Sequence, residues 1–283
     1  MVDVKARAPR HALNVLAVLA DAVSARTCLE SAAAACSVDS EARLVALHVR
    51  VDPALLVDAP ELVAIQYLRE RREGSARARS EDIRRVFDEW THSGGQVAEH
   101  AEWRERIGNV APFLLAESGE ADLIVLTKPR NLDGWEALHC ALYSSKRLVL
   151  YIPSSVHSAD FFKDHHATIA WAPRDQARKA VARALPWLSV AGRVTVISVD
   201  QERTPQSHEI ASMLASAGVR AEFKSVSADG ETVGARILRE LHADEAQYLV
   251  MGAYGHGPLI EWLFGQVTKE MMTRASLPIF LMH

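Results

Sequence analysis

The sequence predicts an α/β fold in which one strand-and-helix series is written twice. Three observations carry this. Short apolar strands alternate with helical stretches along nearly the whole of the 283-residue chain. The strands are apolar nearly end to end, as a parallel sheet covered on both faces requires. Residues 43–52 (RLVALHVRVD) are answered in the other half by residues 193–200 (RVTVISVD).

In the first half the series reads strand 14–19, an Ala-rich helix 26–36 and strand 43–49. A helix at 81–91 stops near Gly94 and Gly95. Strand 97–103, helix 109–118 and strands 123–127 and 147–152 complete it. The second half opens with strand 167–171 and helix 175–190, then strand 193–199, which is β-branched nearly throughout. Helix 207–217 ends at Gly218, and residues 219–226 alternate as a strand. Helix 231–242 puts Ile237, Leu238 and Leu241 on one face. Strand 248–251, a helix around 269–274 and strand 278–282 close the chain. Pro153, Ser154, Ser155, His157 and Ser158 read as a linker, so the expected domains are 1–153 and 164–283. Only the first half carries an extra segment, roughly 53–80, where Leu62, Ile65, Tyr67 and Leu68 suggest partial helix. It falls beside the crevice at the carboxyl ends of the strands, as a lid, an interaction arm or a surface decoration.

Composition narrows the function classes. The chain is 49% hydrophobic and 24% charged, ordinary for a globular protein. A net charge of −4 gives no electrostatic reason to expect nucleic acid. Arg69, Arg71, Arg72, Arg77 and Arg79 are interspersed with Glu70, Glu73, Glu81 and Asp82, which reads as a solvated face. No signal peptide or membrane-length apolar run is visible, so the expected location is the cytoplasm, with no membrane partner. Cys28, Cys36 and Cys140 show no CxxC or zinc spacing and read as reduced, buried small hydrophobes. No His/Cys/Asp cluster has metal-ligand spacing, so no metal is expected. Trp171, Trp187 and Trp262 read as core or interface fillers.

Chemistry concentrates in residues 252–268, between an apolar strand and a helix. Gly252, Gly255, Gly257 and Gly265 occur there, and glycines past a strand and before a helix let backbone amides close on an anion. The other reading is that they only permit a tight turn. His256, beside Gly255, faces either the crevice or solvent. Enzyme signatures are absent: no G-x-x-x-x-G-K-[ST], no G-x-S-x-G and no strand-linked G-x-G-x-x-G.

The spacing of Gly252, Gly255 and Gly265 resembles the nucleotide loop of the universal stress protein family, in which the last glycine is followed by Ser or Thr. Here Gln266 stands at that place, with Thr268 as a substitute hydroxyl. The ending Leu277, Pro278, Ile279 is also typical, and the likeness runs nearly the whole chain as two fused copies. It implies two open five-stranded parallel sheets of order 3-2-1-4-5 flanked by helices, paired as an internal pseudo-dimer. Strand 147–152 would then meet strand 278–282, and a further homodimer is open. It implies ATP or another adenine nucleotide as ligand of the C-terminal domain. Gly255, His256, Gly257, Gln266, Val267 and Thr268 would line its phosphates, Gly252 and Gly265 the turns, and Val199 the base. The Asp that the family places after the first strand is Ala172 here. In the N-terminal domain Asp21 comes one place late, Pro129 removes an amide donor and no glycine loop follows, so no nucleotide is expected there. The implied role is stress-response nucleotide binding with at most slow ATP hydrolysis. The alternative is a nucleotide-free scaffold with an unidentified protein partner.

Overall fold

Alternating strands and helices fold into one continuous sheet covered on both faces. The computed structural model describes residues 12–56, 60–93, 95–156, 161–200, 205–253 and 265–283. The first half contains β1 (Asn14–Val18), α1 (Ala22–Cys36), β2 (Arg43–Arg50), α2 (Pro60–Glu73), α3 (Ala76–Ser93) and α4 (Gly95–Glu99). It continues with β3 (Glu102–Ile107), α5 (Val110–Glu117), β4 (Leu123–Thr127), α6 (Leu132–Tyr143) and β5 (Leu148–Ile152). The second contains β6 (His166–Ala170), α7 (Asp175–Leu188), β7 (Arg193–Val199), α8 (Pro205–Ser216) and β8 (Glu222–Val226). It ends with α9 (Val233–Ala243), β9 (Tyr248–Gly252), α10 (Gln266–Arg274) and β10 (Ile279–Met282).

The strand order is β3-β2-β1-β4-β5-β10-β9-β6-β7-β8. Each half has the expected order 3-2-1-4-5, but the two sheets are fused rather than separate. All pairs within a half are parallel. The halves meet where β5 and β10 pair antiparallel, with Ile279 opposite Tyr151 and Leu281 opposite Val149. Both strands are buried along their length, so their pairing removes two apolar open edges.

Period-two alternation then divides the core between the faces. Leu148, Leu150 and Ile152 of β5 join Phe280 of β10 on the face covered by α1 and α7, whereas Val149 and Tyr151 join Ile279 and Leu281 on the face covered by α6 and α10. Each cluster mixes residues of both halves. Buried polar groups follow suit: Trp187 Nε1 donates to the Ala35 carbonyl at 3.0 Å and the Tyr151 hydroxyl to the Met272 carbonyl at 3.0 Å. The three cysteines are free and buried, and burial pushes the Cys28 and Cys36 thiols up to about 12.

Two elements differ from expectation. Residues 97–103 were expected as a strand, but Gly95–Glu99 is a helical turn and β3 begins at Glu102. β3 is an outer edge strand with charged Glu102, Arg104 and Arg106, and it lacks the apolar run that marks buried strands. Residues 128–146, read without a helix, contain α6. Its N-cap Asn131 accepts a hydrogen bond from the Gly134 amide at 2.8 Å. A Cβ on Gly134 would lie 3.3 Å from the capping Asn131 Oδ1 and in ordinary contact, 3.4 Å, with Ala20 Cβ and Pro129 Cα.

Candidate functional site

The carboxyl ends of β6, β7 and β9 enclose a cavity of about 320 Å³. Its base is apolar: Ala170, Ile197, Val199 and Met251, with Val233 and Ile237 of α9 alongside. The opening turn of α10 supplies Gly265, Gln266, Val267 and Thr268, and the segment after β6 supplies Trp171, Ala172 and Arg174. The ladder continues past β6, as the Trp171 amide donates to the Ile197 carbonyl at 2.8 Å. The Arg174 amide then bonds the Ala172 carbonyl at 2.7 Å, and Arg174 is the N-cap of α7 without a side-chain capping bond. Gly265, the N-cap of α10, likewise makes no side-chain cap, and the Gly265 carbonyl first accepts from the Lys269 amide at 3.0 Å. The opening amides of α10 therefore have no intrahelical acceptor.

Val199, Gly265, Gln266, Val267 and Thr268 thus come together around one cavity. Gln266 is exposed at the rim, whereas the Thr268 side chain is fully buried. Gly252 is elsewhere: it ends β9 opposite Met282 and does not line the cavity. Gly255, His256 and Gly257 lie outside the described residues. The turn-forming role expected of Gly265 is corrected, because its φ of −54° and ψ of 148° suit any residue. Glycine contributes an absent side chain at the cavity lip, not unusual backbone freedom. Trp171, Arg174, Val233, Ile237 and Met251 were not singled out as site residues. Arg174 carries a signal, a cation two residues past Ala172, but strand ends alone do not show that it faces a cavity.

The equivalent crevice of the first half is filled. Asp21 caps its own helix, accepting from the Ser24 amide at 2.9 Å and the Ser24 hydroxyl at 2.7 Å. Asp133, in the first turn of α6, suits that helix dipole and is engaged by two side chains of α2. Arg69 Nη1 donates to its Oδ2, and Gln66 Nε2 donates to its Oδ1 at 3.1 Å. Arg69 Nε also bonds Glu73 at 2.7 Å. The remaining space, about 90 Å³, is edged by Asp21, His48, Arg50 and Arg79. Arg69, read as part of a solvated face, is only 8% exposed, while Ile65, Tyr67 and Leu68 of the same helix are exposed. The extra segment therefore buries its polar side and packs its arginine where a ligand would sit.

His48 beside this crevice is buried, with Nδ1 2.8 Å from the Leu19 carbonyl. Burial holds its pKa below 6.5 despite that bond and nearby Glu105 and Asp133. The unfolded chain then binds the extra proton more readily. His48's contribution is complete above about pH 6.5 and falls away as pH drops toward the folded value. Denaturation midpoints at about pH 7.5 and 5.5 should fall more in the parent than in His48→Gln. Equal losses would exclude His48 as the source.

A larger cleft of about 740 Å³ opens between Phe161, His242, Arg274 and Pro278, at the amino ends of β9 and β10. Doubly wound sheets bind ligands at the carboxyl ends, so the smaller cavity is the candidate. Among the described residues no group of His, Cys, Asp and Glu is placed to hold a metal, and no helix is long and apolar enough to cross a membrane.

These features define a twice-built, doubly wound α/β protein whose second half has a cavity where the described residues of the first fill theirs. No family model and no curated protein sequence matches the chain. Solved structures do. It is similar to a universal stress protein from Archaeoglobus fulgidus DSM 4304, with a TM-score of 0.62 and 13% identity over 95% of each chain. It is also similar to a functionally unknown protein from Pseudomonas aeruginosa PAO1, with a TM-score of 0.52 and 12% identity over 95% of this chain and 92% of that one. At such identities the likeness shows the fold alone.

Proposed function

We propose that this chain is a cytoplasmic, stress-response nucleotide-binding protein of the universal stress type, holding ATP or another adenine nucleotide in its second half. The observation that carries this reading is the convergence of Val199 and residues 265–268 on one apolar-based cavity at the glycine-led start of α10. The apolar base suits a nucleobase, and the α10 amides suit its phosphates. In this reading residues 164–283 form the binding domain and residues 1–153 a partner domain that holds no nucleotide. Catalysis beyond slow hydrolysis is not part of the proposal, since no general base among the described residues lines the cavity.

The test is to denature purified protein, assay released small molecules by mass spectrometry, and titrate the protein with ATP calorimetrically. Gly265→Val should weaken binding by at least about tenfold, because its side chain crowds the α10 amides, while circular dichroism stays unchanged. Unchanged affinity in the folded variant would reject the loop assignment. A second reading, a nucleotide-free scaffold for a protein partner, is favoured by Ala172, which stands where the family places its Asp and offers no carboxylate there. Absence of both released nucleotide and ATP binding would select it.

A further inference from the structure

In each half a glutamate at the same position ties the last helix to the helix before it. Glu136 is the fifth residue of α6, and Glu270 the fifth of α10. Glu136 Oε1 accepts from the Ala111 amide, in the first turn of α5, at 3.1 Å. Glu270 Oε2 accepts from the hydroxyl of Thr232, the N-cap of α9, at 2.7 Å. The Thr232 oxygen in turn accepts from the Ala235 amide at 3.0 Å, which directs its proton outward to Glu270. Glu270 Oε1 pairs with Arg274 one turn on, and the Glu270 side chain is only 14% exposed.

Gly234, buried in the first turn of α9, makes room for this contact. Its φ is not positive, and glycine is a poor helix residue, so neither backbone freedom nor helix propensity calls for it. A Cβ there would lie 2.8 Å from Glu270 Cδ and 3.1 Å from Glu270 Cβ, inside normal contact. The tie stands just behind the cavity wall. Val233 and Ile237 of α9 and residues 265–268 line the cavity, whereas Thr232, Gly234 and Glu270 do not. Ile237 and Leu241 anchor α9 in the core, so a glutamate bonded to its first turn passes that anchorage to the start of α10. In the first half the same tie lies three residues from Asp133, the group that Arg69 reaches. The glutamate thus fixes, in both halves, the helical turn that faces the crevice.

Resting on the adenine-nucleotide reading of the second-half cavity, we infer that Glu270 is a positioning residue, which holds the opening turn of α10 at the spacing from α9 that the phosphates require. Calorimetry with ATP and with adenosine tests this, since adenosine shares the base and ribose and lacks the phosphates. Glu270→Ala and Gly234→Ala, each checked for native circular dichroism, should lose ATP affinity by at least about tenfold. Both should bind adenosine within about twofold of the parent. The direction is diagnostic, because Glu270→Ala removes a negative charge near the phosphates, and by charge alone that would strengthen ATP binding. Gly234→Ala keeps the charge and displaces the carboxylate. Glu270→Gln keeps an oxygen for the Thr232 hydroxyl and should retain most of the ATP affinity. Parent-like ATP affinity in either folded variant, or equal losses for ATP and adenosine, would overturn the inference while leaving the adenine-nucleotide reading intact. If the parent binds neither ATP nor adenosine, both fall together.

Discussion

Arg69→Ala should release α2 from the body of the protein at a cost of about 3–5 kcal/mol, the usual effect of removing one partner from a buried ion pair. Arg69 and Asp133 are 8% and 7% exposed, so the truncation leaves a carboxylate in a crevice that water reaches poorly. Burial opposes the Arg69 charge, but Asp133 and Glu73 outweigh it and hold its pKa above the ordinary value. Arg69 is therefore a cation at every accessible pH, and the pair persists wherever Asp133 is ionised. Because Arg69 and Gln66 both reach Asp133 from α2, the loss falls first on that helix. Native-state trypsin cleavage at the exposed Arg71 and Arg72 reads it directly. An opening free energy lowered by that amount raises the cleavage rate by about two orders of magnitude or more. The double variant Arg69→Met with Asp133→Leu should recover most of the protection, since apolar replacement of a whole buried pair is often neutral. Parent-like cleavage in Arg69→Ala would show that α2 is held by something other than this pair.

Trp187→Ala should be comparably costly, about 3–5 kcal/mol by urea denaturation, but the loss should be global. Trp187 is fully buried on α7 of the second half, and its indole donates to the Ala35 carbonyl of α1 in the first. Its ring lies 5.1 Å from that of Phe280 and 6.5 Å from that of Phe162. Truncation leaves a cavity at the junction and takes a buried carbonyl's partner. Trp187→Phe should cost markedly less, as it keeps most of the ring volume and loses the donor. Both variants should still unfold in one transition, because each core cluster spans both halves. A loss under about 1 kcal/mol, or two separated transitions in the parent, would contradict a shared core.

Where the chain forms regular structure was legible wherever the pattern is local. The strand 193–199 was read to the residue, since burial on both faces writes a run that is β-branched nearly throughout. β3 was misplaced because an outer edge strand keeps charges at Glu102, Arg104 and Arg106. α2 was anticipated through Ile65, Tyr67 and Leu68, yet those face solvent and the helix docks by Gln66 and Arg69. Apolar periodicity cannot report a face whose anchor is an ion pair. Of the second-half residues that the resemblance named, Val199 and residues 265–268 line one cavity, Gly252 does not, and Gly255, His256 and Gly257 lie outside the described residues. Arg174 also borders that cavity, and no apolar period marks an exposed charged residue at a helix start.

The amino-acid sequence by itself determined the doubled alternation, the end of the sheet at which a ligand would sit, and the glycine-led helix start there. Those follow from periods of two and 3.6 residues and from backbone chemistry within a few positions. The resemblance placed strand 147–152 against strand 278–282, and the tertiary structure decided that they pair as neighbours in one ten-stranded sheet and that the first-half crevice is reduced to about 90 Å³. The first rests on β5 meeting β10, and the second on Arg69 reaching Asp133, 64 residues away. Long-range contacts of this kind are chosen by the burial and charge of the assembled chain, and no local pattern encodes them.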